Sequence, residues 1–275
     1  MAMNDNAVFT ASTGYVFKAE PGTAAPTPAQ LANFEAETFG SHTHTLKPSG
    51  EYTLTVDGES TLPLEQDASA AEVQAELQKL ASVGNANVIV AGTDPAEGYF
   101  VHFVGDLFGQ EVELTADEGA TITEASKPLG WEPIGHTAAE ELPEFGYEGG
   151  ETENRGTWQK QNLRQVSSET PVDYVTIRAQ QFDMETLELY YGKNASKVAN
   201  VFGVDDASSA GVDKAFLIVL IDGDFKIAFS AAKATVGRDE SIALATDDFA
   251  TLPLRATFVK HPGRHLFEWT LPEAA

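Results

Sequence analysis

Seven consecutive apolar residues, Ala215 to Ile221 (AFLIVLI), constrain this chain more than any other stretch. An unbroken apolar run of that length suits a strand covered on both faces. It falls far short of the roughly 18–20 residues that cross a bilayer, and no longer apolar run exists, so no membrane association is expected. Asp222-Gly223 then gives a hairpin signal, and beyond it Phe225, Ile227 and Phe229 alternate with Lys226, Ala228 and Ser230. A buried strand paired with an alternating one is the seed of a sheet.

Other segments carry the same signature. NAVFTASTGYVFKAEPG reads as a strand anchored by Phe9, Tyr15 and Phe17, ending at Pro21-Gly22. The proline-bearing stretch after it reads as a long loop with one helical turn through Leu31 and Phe34. EFGYEGGETENRGTWQ and VDYVTIRAQQF are strand candidates. DMETLELYYG predicts a short helix that begins near Asp183 and stops at Gly192. TLPLRATFVKHPGRHLFEWTLP closes the chain as two strands around Pro262-Gly263. The expected fold is mainly β (α+β): a β-sandwich or barrel-forming sheet with one short helix.

Between His42 and Leu129 the texture changes. Two short alternating runs flank Asp57-Gly58, where a type I′ turn needs positive φ twice. Ser69 and Glu72 form the pattern of a capping box, and Val73, Leu77 and Leu80 mark one helical face. NANVIVAGT and GYFVHFVGDLFGQEVELTAD add strands, giving a β-β-α-β-β order. We therefore expect a discontinuous domain over 1–41 and 130–275 and an inserted domain over 42–129. Lys47-Pro48 and Lys127-Pro128 would stiffen the two connectors.

Charge is the loudest bulk signal: 42 acidic against 17 basic residues, net −25. Residues 42–129 hold 15 acidic and 3 basic residues, net −12, so the acidity belongs to both parts. Such a surface repels nucleic acid instead of gripping it. The absence of cysteine excludes disulfides, thiolate metal sites and cysteine nucleophiles. The N-terminus MAMNDNAVFTAST has neither the basic nor the long apolar region of a secretory signal.

His42 and His44 form an H-x-H pair that could present two imidazoles to one metal, yet no third ligand stands near in sequence; a linker role is expected. His261 and His265 flank a Pro-Gly turn and also lack a third ligand. No G-x-S-x-G, P-loop or dinucleotide fingerprint occurs. The acidic pairs Glu140-Glu141 and Asp247-Asp248 are what so acidic a chain produces anyway. No enzymatic activity, cofactor or metal is expected. In EGGETENRG, Glu151, Glu153 and Arg155 share a strand face by period two, beyond a glycine-permitted bend. Tyr52, Tyr99, Phe100 and Phe108 read as core by alternation.

GWEPIGHTAAEELPEFGYEGGETENRGTWQKQNLR followed by VDYVTIRAQQFDMETLELYYG resembles the major tail tube proteins of long-tailed (siphovirus-type) bacteriophages, as does NDNAVFTASTGYVFKAEPGTAAP at the start. The similarity covers about residues 1–41 and 130–275. Gly135-His136-Thr137, Gly149-Gly150-Glu151 and Gly156-Thr157-Trp158 are among its specific elements. The intervening 42–129 departs from that pattern and resembles small modules of phage and bacterial surface proteins.

The resemblance implies a virion protein made in the host cytoplasm, forming stacked hexameric rings with sheets joined across subunits. Their acidic lumen would conduct double-stranded DNA without specific binding. Glu148, Glu151 and Glu153 are the candidate lumen acids. Implied partners are the chain itself, the tape measure protein and the tail terminator and tip proteins. The inserted domain is expected on the tube exterior, with adhesion to host surface polymers and ring reinforcement both open as roles. The competing class is a free-standing two-module adhesin or carbohydrate-binding β protein.

Overall fold

The computed structural model describes residues 8–167, 169–205, 211–244, 246 and 248–272. The chain divides into two compact units, 1–31 with 133–275 and 32–132. This division lies about ten residues earlier than the change in sequence texture at His42. The reason is local: Phe34 and Phe39 pack together at 4.9 Å, both buried, and Leu129 N–H donates to the Gly40 carbonyl.

The chain starts with strand β1 (Thr13–Ala19), which falls within the predicted strand but begins after Phe9. One helical turn follows, α1 (Pro28–Ala32), with Leu31 buried as its periodicity predicts. The second unit then contributes β2 (His42–Pro48), β3 (Leu54–Val56), β4 (Glu59–Ser60), helix α2 (Ala70–Leu77), β5 (Val88–Ala91), β6 (Tyr99–Phe103), β7 (Leu114–Ala116) and β8 (Ala120–Ser126). They form a four-stranded sheet, β5-β6-β2-β8, and a three-stranded one, β4-β3-β7. The hairpin turn has Asp57 at φ 49° and Gly58 at φ 83°, the two positive values its type demands. Ser69 caps α2 and the Glu72 carboxylate accepts from Ser69 N–H at 2.8 Å, closing the capping box. Val73 and Leu77 point from α2 into a core with Leu46, Leu54, Val101 and Phe103.

β2 was not expected as a strand. HTHTLKP carries no strong apolar alternation, yet it pairs with β6 on one side and β8 on the other. Lys47-Pro48 accordingly ends a central strand, with Pro48 buried, and is no free connector.

The remaining strands are β9 (Glu132–Pro133), β10 (Glu144–Glu148), β11 (Thr152–Thr157), β12 (Lys160–Ser167) and β13 (Val172–Ala179), then helix α3 (Met184–Tyr191), then β14 (Val212–Asp222), β15 (Phe225–Arg238), β16 (Leu252–Phe258) and β17 (Glu268–Thr270). The main sheet runs β10-β13-β16-β15-β14-β1 and ends on β9, with β17 joined to β15. β11 and β12 form a separate two-stranded hairpin. Asp183 caps α3 by accepting from Thr186 N–H at 2.7 Å, and Gly192 ends it at φ 89°. Leu189 and Tyr190 of α3 enter a core with Val175, Ile177, Phe216, Ile218 and Leu254. Lys18 is buried on β1 and reaches Glu185 of α3 at 2.7 Å.

One turn falls a residue away from its expected place. Asp222 pairs with Phe225, so the two turn residues are Gly223 and Asp224, one position later than the dipeptide suggests. β16 and β17 are the two strands expected on either side of Pro262-Gly263; β16 lies between β13 and β15, while β17 pairs with a different part of β15. Long β15 offers more backbone edge than β16 can use, and β17 takes the rest. Phe229 on β15 is 1% exposed, with Phe145, Trp269, Phe258 and Phe267 around it at 4.7, 5.1, 5.2 and 5.5 Å. Among the described residues, no helix is long and apolar enough to cross a membrane. Replacing this hub by F229A should destabilise the first unit by about 3–5 kcal/mol, read as a lowered urea midpoint.

Candidate functional site

The H-x-H pair resolves into a structural device. His42 and His44 are each 5% exposed, on the core face of β2, with ring centroids 4.4 Å apart. Val112 N–H donates to His42 Nδ1 at 2.9 Å, and His44 Nε2–H donates to the Val112 carbonyl at 3.0 Å. Two rings thus satisfy both polar groups of one peptide-bearing residue in a loop that has no strand partner there. The linker role expected for these histidines is wrong, because β2 is a central strand that carries them inward.

The same bonds weigh against a metal. A neutral His42 that accepts at Nδ1 carries its proton on Nε2, the atom that faces Glu124 Oε1 at 3.6 Å, so that nitrogen has no lone pair for a ligand. His44 Nδ1 is buried without a hydrogen-bond partner. Among the described residues, no three His, Asp or Glu side chains gather as a metal site requires. His261 Nδ1 lies 3.0 Å from the Pro262 carbonyl, and His265 is exposed. Of the acidic pairs, Asp247 lies outside the described residues, and Glu141 is tied to Arg178 at 2.8 Å.

The three candidate acids sit around the junction of β10 and the β11–β12 hairpin. Glu148 ends β10 and meets Arg255 through two contacts, 2.8 and 3.0 Å, which hold its carboxyl below the usual range. The Arg255 guanidinium also lies over the Tyr174 ring at 3.7 Å. Gly149 and Gly150 follow with φ of 74° and 75°, and a side chain at Gly149 would run into the Thr170 carbonyl. This bend breaks the alternation between Glu148 and the later acids. Glu151 precedes β11 and is exposed; Glu153 is on β11, exposed, 3.7 Å from Arg155. The three lie near one another along the chain, and Glu148 is locked in a two-contact ion pair.

The hairpin itself went unread. Its turn is Trp158-Gln159, without a glycine or asparagine, and the twist is absorbed by a bulge at Gly156, where a side chain would strike the Gln161 carbonyl. The mixed polar run KQNLRQVS offered no apolar face, and none exists: β11 is exposed at every position, as are the first six residues of β12. Trp158 at the tip is 98% exposed. Arg155 stands opposite Arg164, and Lys160 is close by. Among the described residues, Lys160 and Arg164 have no carboxylate partner. β10, next to the hairpin, is the outer strand of the main sheet, with Phe145 40% and Tyr147 75% exposed.

The buried imidazoles make stability depend on pH. Burial lowers the pKa of His44 and of His102 below the ordinary 6.5. The unfolded chain therefore takes up protons first as pH falls through 6.5, and the folded second unit loses stability below it. The urea midpoint of this unit should fall between pH 7.5 and 5.5, and H44Q should flatten that fall; an unchanged slope would show that His44 is not responsible.

Comparison with known proteins follows the same lines. A family described as "Phage tail tube protein" matches residues 1–77 and 98–275. Major tail protein Gp23 of Mycobacterium phage D29 is 34% identical over 269 residues, covering 98% of this chain and 93% of that protein. Major tail protein Gp23 of Mycobacterium phage L5 is 48% identical over 140 residues, covering 51% of this chain and 70% of that protein. A solved chain from Mycobacterium phage Patience is 19% identical over 48% of each chain with a TM-score of 0.27, too low to compare folds. The family match runs through most of residues 42–129 and omits only 78–97, so this region does not depart from the family as its texture suggested. The relatives are structural major tail proteins and not enzymes. The chain belongs to the phage tail tube protein family and is a structural component of the virion tail.

Proposed function

We propose that copies of this chain join into hexameric rings and that the rings stack into a tube whose acidic channel passes double-stranded DNA during ejection. The hairpin of β11 and β12 carries this reading. A lone two-stranded hairpin is marginal in water, and this one has almost nothing packed on either face. Arg155 opposite Arg164 is repulsive, a cost that a neighbour's carboxylates relieve. From Asn154 to Ser167 there are three basic residues and no acid, in a chain of net −25. The surface complementary to that arm is another copy of the same chain. The exposed edge at β10 supports sheet joining, since an unpaired edge left free invites aggregation.

Glu151 and Glu153 are the proposed channel acids; Glu148, matched by Arg255, contributes less. A wall of carboxylates repels DNA phosphates and lets the duplex slide, whereas bases would hold it through counterion release. Residues 42–129 are proposed to decorate the exterior, within reach of a host surface polymer. The tape measure protein and the terminator and tip proteins are the further proposed partners, and synthesis would take place in the host cytoplasm.

Electron micrographs of the purified chain should show rings or tubes about 100 Å wide. W158A should keep the circular dichroism of the parent and lose tube formation; normal tubes would show that the tip is no anchor. E151Q combined with E153Q should assemble and eject DNA more slowly, and unchanged ejection would remove them from the channel. Density for residues 50–120 inside the bore would overturn the exterior placement.

A further inference from the structure

Tyr52, Tyr99 and Phe108 are buried, as alternation predicts, but Phe100 is not: it stands 50% exposed on β6 between buried Tyr99 and Val101. Its ring stacks on His102 at 6.3 Å with 28° between planes. Thr43 Oγ1 holds His102 Nδ1 at 2.9 Å, so that ring is oriented by its neighbour across the strand pair. Strand register places Ile89 and Ala91 of β5 on one side of this pair and Thr45 and then Thr123 of β8 on the other. Lys47 and Thr121 are the next outward positions along. All of these residues are described, and none is a carboxylate, in a region where acids outnumber bases 15 to 3.

We propose that this face of the β5-β6-β2-β8 sheet is a binding surface for a neutral polysaccharide, with Phe100 as the stacking platform. An apolar sugar face packs on an exposed ring, while sugar hydroxyls need donors and acceptors. The Thr123 hydroxyl can be either, Thr45 Oγ1 gives its own proton to the Thr123 carbonyl at 3.2 Å and is left to accept, and His102 keeps Nε2 for a partner because Thr43 engages Nδ1. A protein partner is the poorer fit. A stable protein interface buries roughly 800 Å² per side around an apolar centre, and here the apolar side chains are only Phe100, Ile89 and Ala91. The charge of the face points to a neutral polymer: among the positions named, Lys47 is the single cation, too little to hold a polyanion, and no carboxylate calls for a cationic one. Host-surface contact by this face rests on the exterior placement of residues 42–129 proposed above; binding in solution does not.

The test is native affinity electrophoresis of the full chain in gels cast with a neutral galactan, with dextran, or with anionic polygalacturonate. Retardation by a neutral polymer is expected, with about tenfold weaker binding for F100T. H102Q should weaken it too, while L62T, which removes an exposed leucine elsewhere in the unit, should not. F100T keeps a strand-forming side chain, and its circular dichroism and tube assembly should match the parent. No retardation in any neutral gel, undiminished binding by F100T, or equal loss with L62T would overturn the proposal. Preference for the anionic polymer would overturn it as well, as would retardation without polymer that grows with protein concentration, the sign of a second copy on this face. Loss of assembly by the parent chain would count against the tube reading and leave the electrophoresis result standing on its own.

Discussion

Strand β15 is the element on which the first unit depends. Its fourteen residues pair with β14 along one edge, and the other edge is divided between β17 at Ala228–Ser230 and β16 at Ala234–Arg238. One stretch of backbone can satisfy only one neighbour, so the sheet must change direction where the partner changes. Phe229 fills that region with four aromatic rings within 5.5 Å. Everything beyond is reached in series: β16 holds β13, β13 holds β10, and β10 leads through the two-glycine bend into the exposed hairpin.

Cations are scarce in this chain, and several on the main sheet clasp carboxylates. Lys18 serves Glu185, Arg178 serves Glu141 and Glu240, Lys233 serves Asp213, Lys214 serves Glu20, and Arg255 serves Glu148. Each clasp ties strand to helix, strand to strand or strand to loop, and the half-exposed ones contribute modestly to stability. The hairpin differs from the sheet that leads to it. Its bases gather where local partners are weakest, with the single long contact from Arg155 to Glu153. Charge is therefore used in two ways: paired within the sheet to fix its shape, and left unspent on the arm that leaves it.

Local chemistry made part of this legible in the sequence. Asp57-Gly58, the Ser69 and Glu72 box, and the Asp183 to Gly192 helix all carry their own stop and start signals, and each is present where those signals fall. The run AFLIVLI is a central strand because nothing polar interrupts it. What stayed hidden depends on tertiary pairing. HTHT looks like a polar seam until β6 and β8 flank it. The β11–β12 hairpin hides because its turn lacks glycine and its strands lack an apolar face. Phe100 shows the limit of alternation: Tyr99 and Phe100 are equally aromatic, and only the helix above one face decides which of them is covered. The candidate acids were found by pattern, but the guanidinium that matches Glu148 lies 107 positions away.

The clasp on Val112 has a consequence for how the chain can vary. The demand falls on two ring nitrogens and on the backbone they hold, since His42 receives the amide proton and His44 supplies one to the carbonyl. The side chain at 112 need only be apolar and of a size that a site 5% exposed admits, an added methylene costing about 1–3 kcal/mol where it overpacks. Proline is forbidden whatever its volume, because it has no amide proton to give. At His42 and His44 the freedom is reversed: neither a bulkier nor a more apolar side chain can replace a ring nitrogen that closes a loop by hydrogen bonding. Mutational drift in this corner of the protein is thus steered by main-chain chemistry, with the loop free to change its wording and the strand opposite held to its own.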